Sequence, residues 1–282
     1  MKTHIKMVGA MVLTFCLLMS AARADDKLTA DEIIAKHLDS IGTKARRAEI
    51  QNRVITGQSQ FSILHNAAGS TSGKCAFVSE AERVFFGASF SSQNYPFEKI
   101  SLDRGRVNAG FIGPGVRSAF GNFILAHREI FSSGLFTGSL SASWSLLDLR
   151  SHKSKVNAAG KRKIDGREAY ALDYTPNGNS GLSIKLYFDA QTFRHIRTEY
   201  SQTISAAQGA KPDDSSRQIE SRHQLIEDFS DFSDEGGLTL PHSYRIKLSF
   251  SGQNGTSECE WKFVFSEFMF NQKLDPHSYE IN

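Results

Sequence analysis

The residue types that do chemistry are present in this chain but scattered. The nine His include His4 near the N-terminus, and none forms an H-E-x-x-H or another paired metal-ligand spacing. A lone strand histidine such as His195 or His223 therefore reads as a surface or interface residue. The run Gly138-Ser139-Leu140-Ser141-Ala142 lacks the final Gly of a nucleophile elbow and its strand–turn–helix setting, and no serine has a credible base. Glu227 and Asp228 are adjacent carboxylates, but neighbours on a strand point to opposite faces and cannot flank one substrate. The stretch GFIGPGVRSAFG (110–121) is Gly-rich before a helix yet lacks the G-K-[ST] ending of a phosphate loop, so it reads as a hinge or turn. Asp213, Asp214, Asp231, Asp234 and Glu235 lack the spacing of a calcium loop. No catalytic residue, metal ligand or cofactor is expected, and the chain is not read as an enzyme.

Residues 1–24 have the plan of a secretory leader. Lys2 and Lys6 precede an uncharged, mostly apolar run from Met7 to Ala22, and Ala22-Arg23-Ala24 is a cleavage pattern before Asp25. The run is short for a spanning helix. Export across the inner membrane with cleavage after Ala24 is expected, leaving 30 Lys+Arg against 30 Asp+Glu. The formal charge of +3 thus belongs to the leader, and nucleic-acid binding through a general positive field loses its support. An oxidising compartment permits a disulfide between Cys75 and Cys259, but both the bridged and the free state stay open.

The remaining chain, 25–282, reads as one domain. Thr29-Ala30-Asp31-Glu32 is a capping box, and Ile33, Ile34, Leu38 and Ile41 form one stripe of a helix that Gly42 ends. A second short helix covers Lys44 to Glu49. From about 51 the period becomes two, with strands expected near 51–64, 74–79, 83–90, 97–103 and 106–112. An insertion near 118–149 reads as a helix, a break at Gly134 and Gly138, and a second short piece. Strands resume near 153–164, 167–175, 182–189, 194–205, 217–229, 238–250 and 257–270. Asp165-Gly166, Asn177-Gly178 and Asn254-Gly255 mark hairpins, Asn66 to Gly73 a turn, and 206–216 a long hairpin end. Twelve strands without βαβ alternation predict a mainly β (α+β) fold with one large antiparallel sheet.

Each strand has an oily face. Tyr170, Leu172 and Tyr174 share a parity, as do Leu182, Ile184, Leu186 and Phe188, then Tyr244, Ile246, Leu248 and Phe250, then Cys259, Trp261, Phe263 and Phe265. A twelve-strand sheet carries more apolar area than two modest helices can cover. Either it closes on itself, or it leaves a cavity for something apolar, or its own side chains fill the core, and these readings stay open. By parity, Phe61, Ile63, Tyr170, Leu172, Tyr174, Ile184, Leu186, Ile246, Leu248, Trp261 and Phe263 are the candidate lipid-binding residues.

The segments TADEIIAKHLDSIG, PGVRSAFGNFILAH, SASWSLLDL, DGREAYALDYTPNGNSGLSIKLYFDAQTFRHIRTEY and LTLPHSYRI resemble LolA-like proteins, and more closely the secreted outer-membrane lipoprotein-sorting relatives. The resemblance implies an unclosed, curved antiparallel β-barrel with helices over its concave face and a hydrophobic cavity between them. It further implies a periplasmic, monomeric carrier that sequesters acyl chains of lipids or lipoproteins and exchanges them with membrane-associated donor and acceptor proteins. Two alternatives stand beside it: an integral outer-membrane barrel, whose usual terminal aromatic is missing at Tyr279-Glu280-Ile281-Asn282, and a secreted hydrolase on a β scaffold.

Overall fold

The computed structural model describes residues 28–64, 69–178, 181–205, 220–253 and 255–281. The expected leader and the hairpin end 206–216 lie outside them. Helix α1 spans Ala30–Ile41 and begins at the capping box, where Thr29 N donates to Glu32 Oε2 at 2.8 Å and Glu32 N donates back to Thr29 Oγ1. Ile33, Ile34 and Ile41 are buried. Gly42 follows because a Cβ there would meet the Gly237 carbonyl at 2.7 Å. Helix α2 covers Lys44–Glu49.

Five strands follow: β1 (Asn52–Ile63), β2 (Gly69–Glu80), β3 (Arg83–Ser89), β4 (Phe97–Asp103) and β5 (Arg106–Ala109). The chain then leaves the sheet through α3 (Ala119–Ala126), α4 (Glu129–Ser132), two short 3-10 turns and α5 (Leu149–His152). It returns as β6 (Lys155–Ile164), β7 (Arg167–Thr175), β8 (Ser183–Asp189), β9 (His195–Ile204), β10 (Ser221–Glu235), β11 (Leu238–Gly252) and β12 (Gly255–Phe270). All twelve form one antiparallel sheet in the order β5-β4-β3-β2-β1-β12-β11-β10-β9-β8-β7-β6. Because β12 pairs with β1, two meanders are joined at the centre, and β5 and β6 remain as edges of an unclosed sheet.

Local chemistry explains the register. Asp165 and Gly166 both have positive φ, at 48° and 84°, as the β6–β7 turn requires. Two strands outrun expectation. β2 begins at Gly69, inside the expected turn, because Gly69 to Gly73 pair with the far end of β1. β10 runs on to Glu235 because its ladder with β11 keeps one register past Asp231, at φ 56°, from Ser230↔Ser243 to Phe232↔Pro241 and on to Glu235↔Leu238.

The inner face is apolar and the outer face charged. On the outer side Arg197 Nε and Arg245 Nη2 both reach Asp228 at 2.6 Å, Lys262 pairs with Glu260 at 2.8 Å, and Lys247 pairs with Glu258. Cross-strand opposition of unlike charges favours this register. The disulfide left open by the sequence is absent, and both cysteines are free. Cys75 stands opposite Gly57 and Cys259 opposite Ile63. Six positions along β1 separate them by about 20 Å, far beyond the roughly 7 Å that a bridge tolerates.

Candidate functional site beneath the cover

The inner face is roofed by α1 and by the segment 110–152, a cover built from short pieces. Ser118 starts α3 by accepting a hydrogen bond from Gly121 N at 2.7 Å. The helix stops at His127, and Gly134, Thr137 and Gly138 then take positive φ of 68°, 63° and 50°. These positions cannot extend a helix. At Gly138 the backbone also passes so near the sheet that a Cβ would meet His195 Nδ1 at 2.7 Å. The cover's apolar set follows the parity of no single helix. Phe120, Phe123, Ile124, Ile130, Phe131, Leu135, Phe136, Leu140, Trp144 and Leu146 are all buried.

These side chains meet the sheet ring to ring. Phe120 lies 5.1 Å from Trp261, Phe136 lies 5.2 Å from Phe86, and Trp144 stacks on His195 at 5.0 Å, all between centroids. Polar contacts pin the same segment at separate points. Arg53 Nη1 donates to the Ser139 carbonyl, Thr137 N to Glu227 Oε1 at 2.9 Å, and Ala142 N to Ser79 Oγ at 2.8 Å. Ser145 Oγ and Tyr174 OH are 2.6 Å apart. Trp144 Nε1 can only donate, so His37 Nε2 accepts at 3.1 Å and His37 Nδ1 carries the proton toward the Phe193 carbonyl at 3.0 Å.

Several of these groups are ionisable and sealed from water. Glu227 also accepts from Tyr200 OH at 2.7 Å and Tyr244 OH at 2.5 Å, and its burial pushes its carboxyl up to about 7. Burial likewise raises Glu98 to about 7. That carboxylate accepts from Tyr95 OH, which accepts from Trp261 Nε1 at 2.9 Å, and it lies against the first turn of α3. Desolvation lowers Arg53 to about 10, His37 to about 4, and His195 well below the ordinary imidazole value. Among the described residues Arg53 Nε has no hydrogen-bond partner.

Eight of the eleven parity-selected residues lie in this buried interior: Leu172, Tyr174, Ile184, Leu186, Ile246, Leu248, Trp261 and Phe263. Phe61 is half-buried between Tyr95 and Trp261, at 4.3 and 5.2 Å. Tyr170 is half-buried on Phe193 at 5.4 Å, and Ile63 sits at the rim, 38% exposed. Four surface depressions, the largest about 810 Å³, are lined by other residues. His195 corrects the surface expectation, because it is fully buried under the cover. Arg53 and Glu98 are buried charged residues that sequence reasoning passed over, and Glu227 was weighed there only as half of an acid pair. The available signal was charge on an inward parity, since Arg53 shares its face with Ile55, and Glu227 shares its face with Leu225 and Phe229. Asp228 points outward, as the adjacency rule requires.

No described protein family and no curated protein matches the sequence. The fold is similar to that of a LolA superfamily protein from Nitrosomonas europaea, with 11% identity over 90% of this chain and 98% of that one and a TM-score of 0.46. It is similar to a DUF1329 family protein from Desulfovibrio piger, with 12% identity over 89% and 96% and a TM-score of 0.40. It is also similar to a domain designated an outer membrane lipoprotein-sorting protein from Vibrio parahaemolyticus, with 13% identity over 87% and 97% and a TM-score of 0.41.

Proposed function

We propose that the chain is a periplasmic, non-enzymatic carrier that shelters an acyl chain of a lipid or lipoprotein against the inner face of the sheet. The observation that supports this reading is the nature of the roof. An apolar face spanning an unclosed sheet is covered by short helices and turns pinned through single polar contacts, not by a second sheet or a long helix. Such a segment can part from the sheet by breaking a few bonds while the ladder beneath stays whole.

The energetics favour exchange. Lifting the cover exposes rings such as Phe120 and Phe136, at roughly 1.5–3 kcal/mol each. An acyl chain of about 15 methylenes offers on the order of 10 kcal/mol at about 0.8 kcal/mol per buried CH₂. The guest thus replaces side-chain contacts that the protein already makes with itself. Reversible uptake, which a carrier requires, therefore needs only part of the cover to lift, because exposing all ten of its buried apolar side chains would cost more than one acyl chain returns. The polar groups under the cover, Arg53 and Glu227 among them, would lose their cover partners as it lifts.

The outer face argues against the membrane-barrel alternative. A lipid-facing wall is apolar, whereas this one bears the ion-pair ladder around Asp228, Glu258 and Glu260. The hydrolase alternative loses its carboxylate pair, since Glu227 and Asp228 face opposite sides.

Lipid extraction and native mass spectrometry of the chain purified from a periplasmic fraction test the proposal, together with uptake of a fluorescent fatty acid. An acyl guest is expected, with faster amide exchange across 118–146 when it is bound. Neither guest nor uptake, with exchange unchanged, would overturn it.

A further inference from the structure

One edge of the sheet carries a charge pattern that the carrier reading does not use. Between 150 and 167 the chain has seven Lys or Arg and a single acid, Asp165, although charges in the chain after residue 24 balance. The structure gathers them along one line. Arg150 and Lys153 lie on and just after α5, Lys155, Lys161, Arg162 and Lys163 on edge strand β6, and Arg167 at the start of β7. Arg150, Lys153, Lys155, Arg162, Lys163 and Arg167 are exposed, whereas Lys161 is half-buried over the Tyr170 ring at 5.3 Å. Asp165 pairs with Arg197 at 3.1 Å, and Glu168, opposite Lys163 on β7, offsets one of the seven cations and leaves the edge strongly basic. The cations sit on both faces of the strand. Lys161 and Lys163 stand opposite Tyr170 and Glu168, whereas Arg162 stands opposite Ala169 on the outer side. The result is a basic rim about 34 Å long at 3.4 Å per residue.

We propose that this rim docks the protein edge-on against an anionic lipid bilayer. Two observations select a bilayer over a strand-adding acidic peptide. β6 is broken by a bulge between Ala158 and Lys161, with Gly160 at φ 78°, so its free backbone groups offer no continuous ladder to an added strand. The cations flank the edge on both sides, which suits a broad field of phosphates more than one peptide lying on one face. Lysine on an edge strand also deters edge-to-edge pairing, and the test separates that role from docking, since glutamate deters pairing equally well.

The experiment is co-sedimentation of the purified chain with large vesicles, either phosphatidylglycerol mixed equally with phosphatidylcholine or phosphatidylcholine alone. Binding is expected only to the anionic vesicles and is lost at about 0.5 M salt, where the Debye length falls to roughly 4 Å. At about 1 kcal/mol per cation near such a surface, Arg162→Glu with Lys163→Glu weakens partitioning by about 30-fold or more. A second variant, Lys153→Glu with Lys155→Glu, does the same, whereas Arg104→Glu with Arg106→Glu at the opposite end of the sheet leaves binding unchanged. Circular dichroism of each variant confirms its fold. Equal binding to neutral vesicles, or unchanged binding of both rim variants, overturns the proposal, as does capture by polyglutamate or an oligonucleotide with no affinity for the anionic vesicles. Failure of acyl uptake leaves this result intact, because docking is read by charge and salt and not by guest content.

Discussion

Replacing Glu227 by Gln should alter how stability depends on pH more than it alters stability itself. The carboxyl is fully buried, and desolvation raises it from 4.5 to about 7 against the opposing pull of Tyr244, Tyr200 and the Thr137 N–H. A carboxyl raised in the folded state contributes stability that is fully present below about pH 4.5 and is lost as pH climbs through 7. A shift of this size corresponds to about 3 kcal/mol at roughly 1.4 kcal/mol per unit. The wild-type profile alone will not display it. His37, lowered to about 4, adds stability above pH 6.5 that is lost as pH falls, with comparable size and opposite sign. His195 acts in the same sense as His37, and Glu98 in the same sense as Glu227. The difference between variant and wild type cancels these common contributions. Urea denaturation followed by circular dichroism from pH 4.5 to 8, at fixed ionic strength, should show Glu227→Gln gaining about 3 kcal/mol on wild type across that range. At pH 4.5 the variant should sit within about 1 kcal/mol of wild type, since a neutral amide replaces a neutral acid of the same shape. A flat difference curve, or one falling toward alkaline pH, would refute the assignment of Glu227 as the buried titrating group.

Three further outcomes follow from the geometry. Gly138→Ala should loosen the cover by about 1–3 kcal/mol, because the position needs φ 50° and its Cβ would strike His195; limited proteolysis within 130–146 reads this, and unchanged resistance would count against a close approach there. Leu186→Ala should cost about 2–5 kcal/mol in urea melts, since Leu186 is fully buried on the inner face; a cost under 1 kcal/mol would mean that its surroundings are not packed. Thr29→Ala should cost about 1 kcal/mol by removing the α1 capping box, with raised amide exchange at Ile33, and no change in exchange would contradict the cap.

Much of the architecture is written locally. The Thr29–Glu32 box, the two-residue period and the Asp165-Gly166 turn each act over a few residues, and the elements lie where those signals place them. Strand parity also separated the oily side of β7, β8, β11 and β12 from the charged side, because alternation needs only the strand's own geometry. Partners distant along the chain were not legible in that way. Arg53 finds the Ser139 carbonyl 86 residues away, and Glu227 finds Thr137 N 90 residues away. Nothing within reach of either residue in the sequence announces that contact. The two cysteines show the same limit in reverse, since six rungs of register along β1 keep them apart.

By its residue order alone the chain determined its helices, its strands and the wet and oily side of each, because those follow from interactions between near neighbours. Only tertiary structure decided that β12 joins β1, that the sheet stays open at β5 and β6, and that residues 110–152 fold back as its roof. Those outcomes depend on which oily surfaces find one another in space, a competition among many similar contacts that no short stretch of sequence resolves.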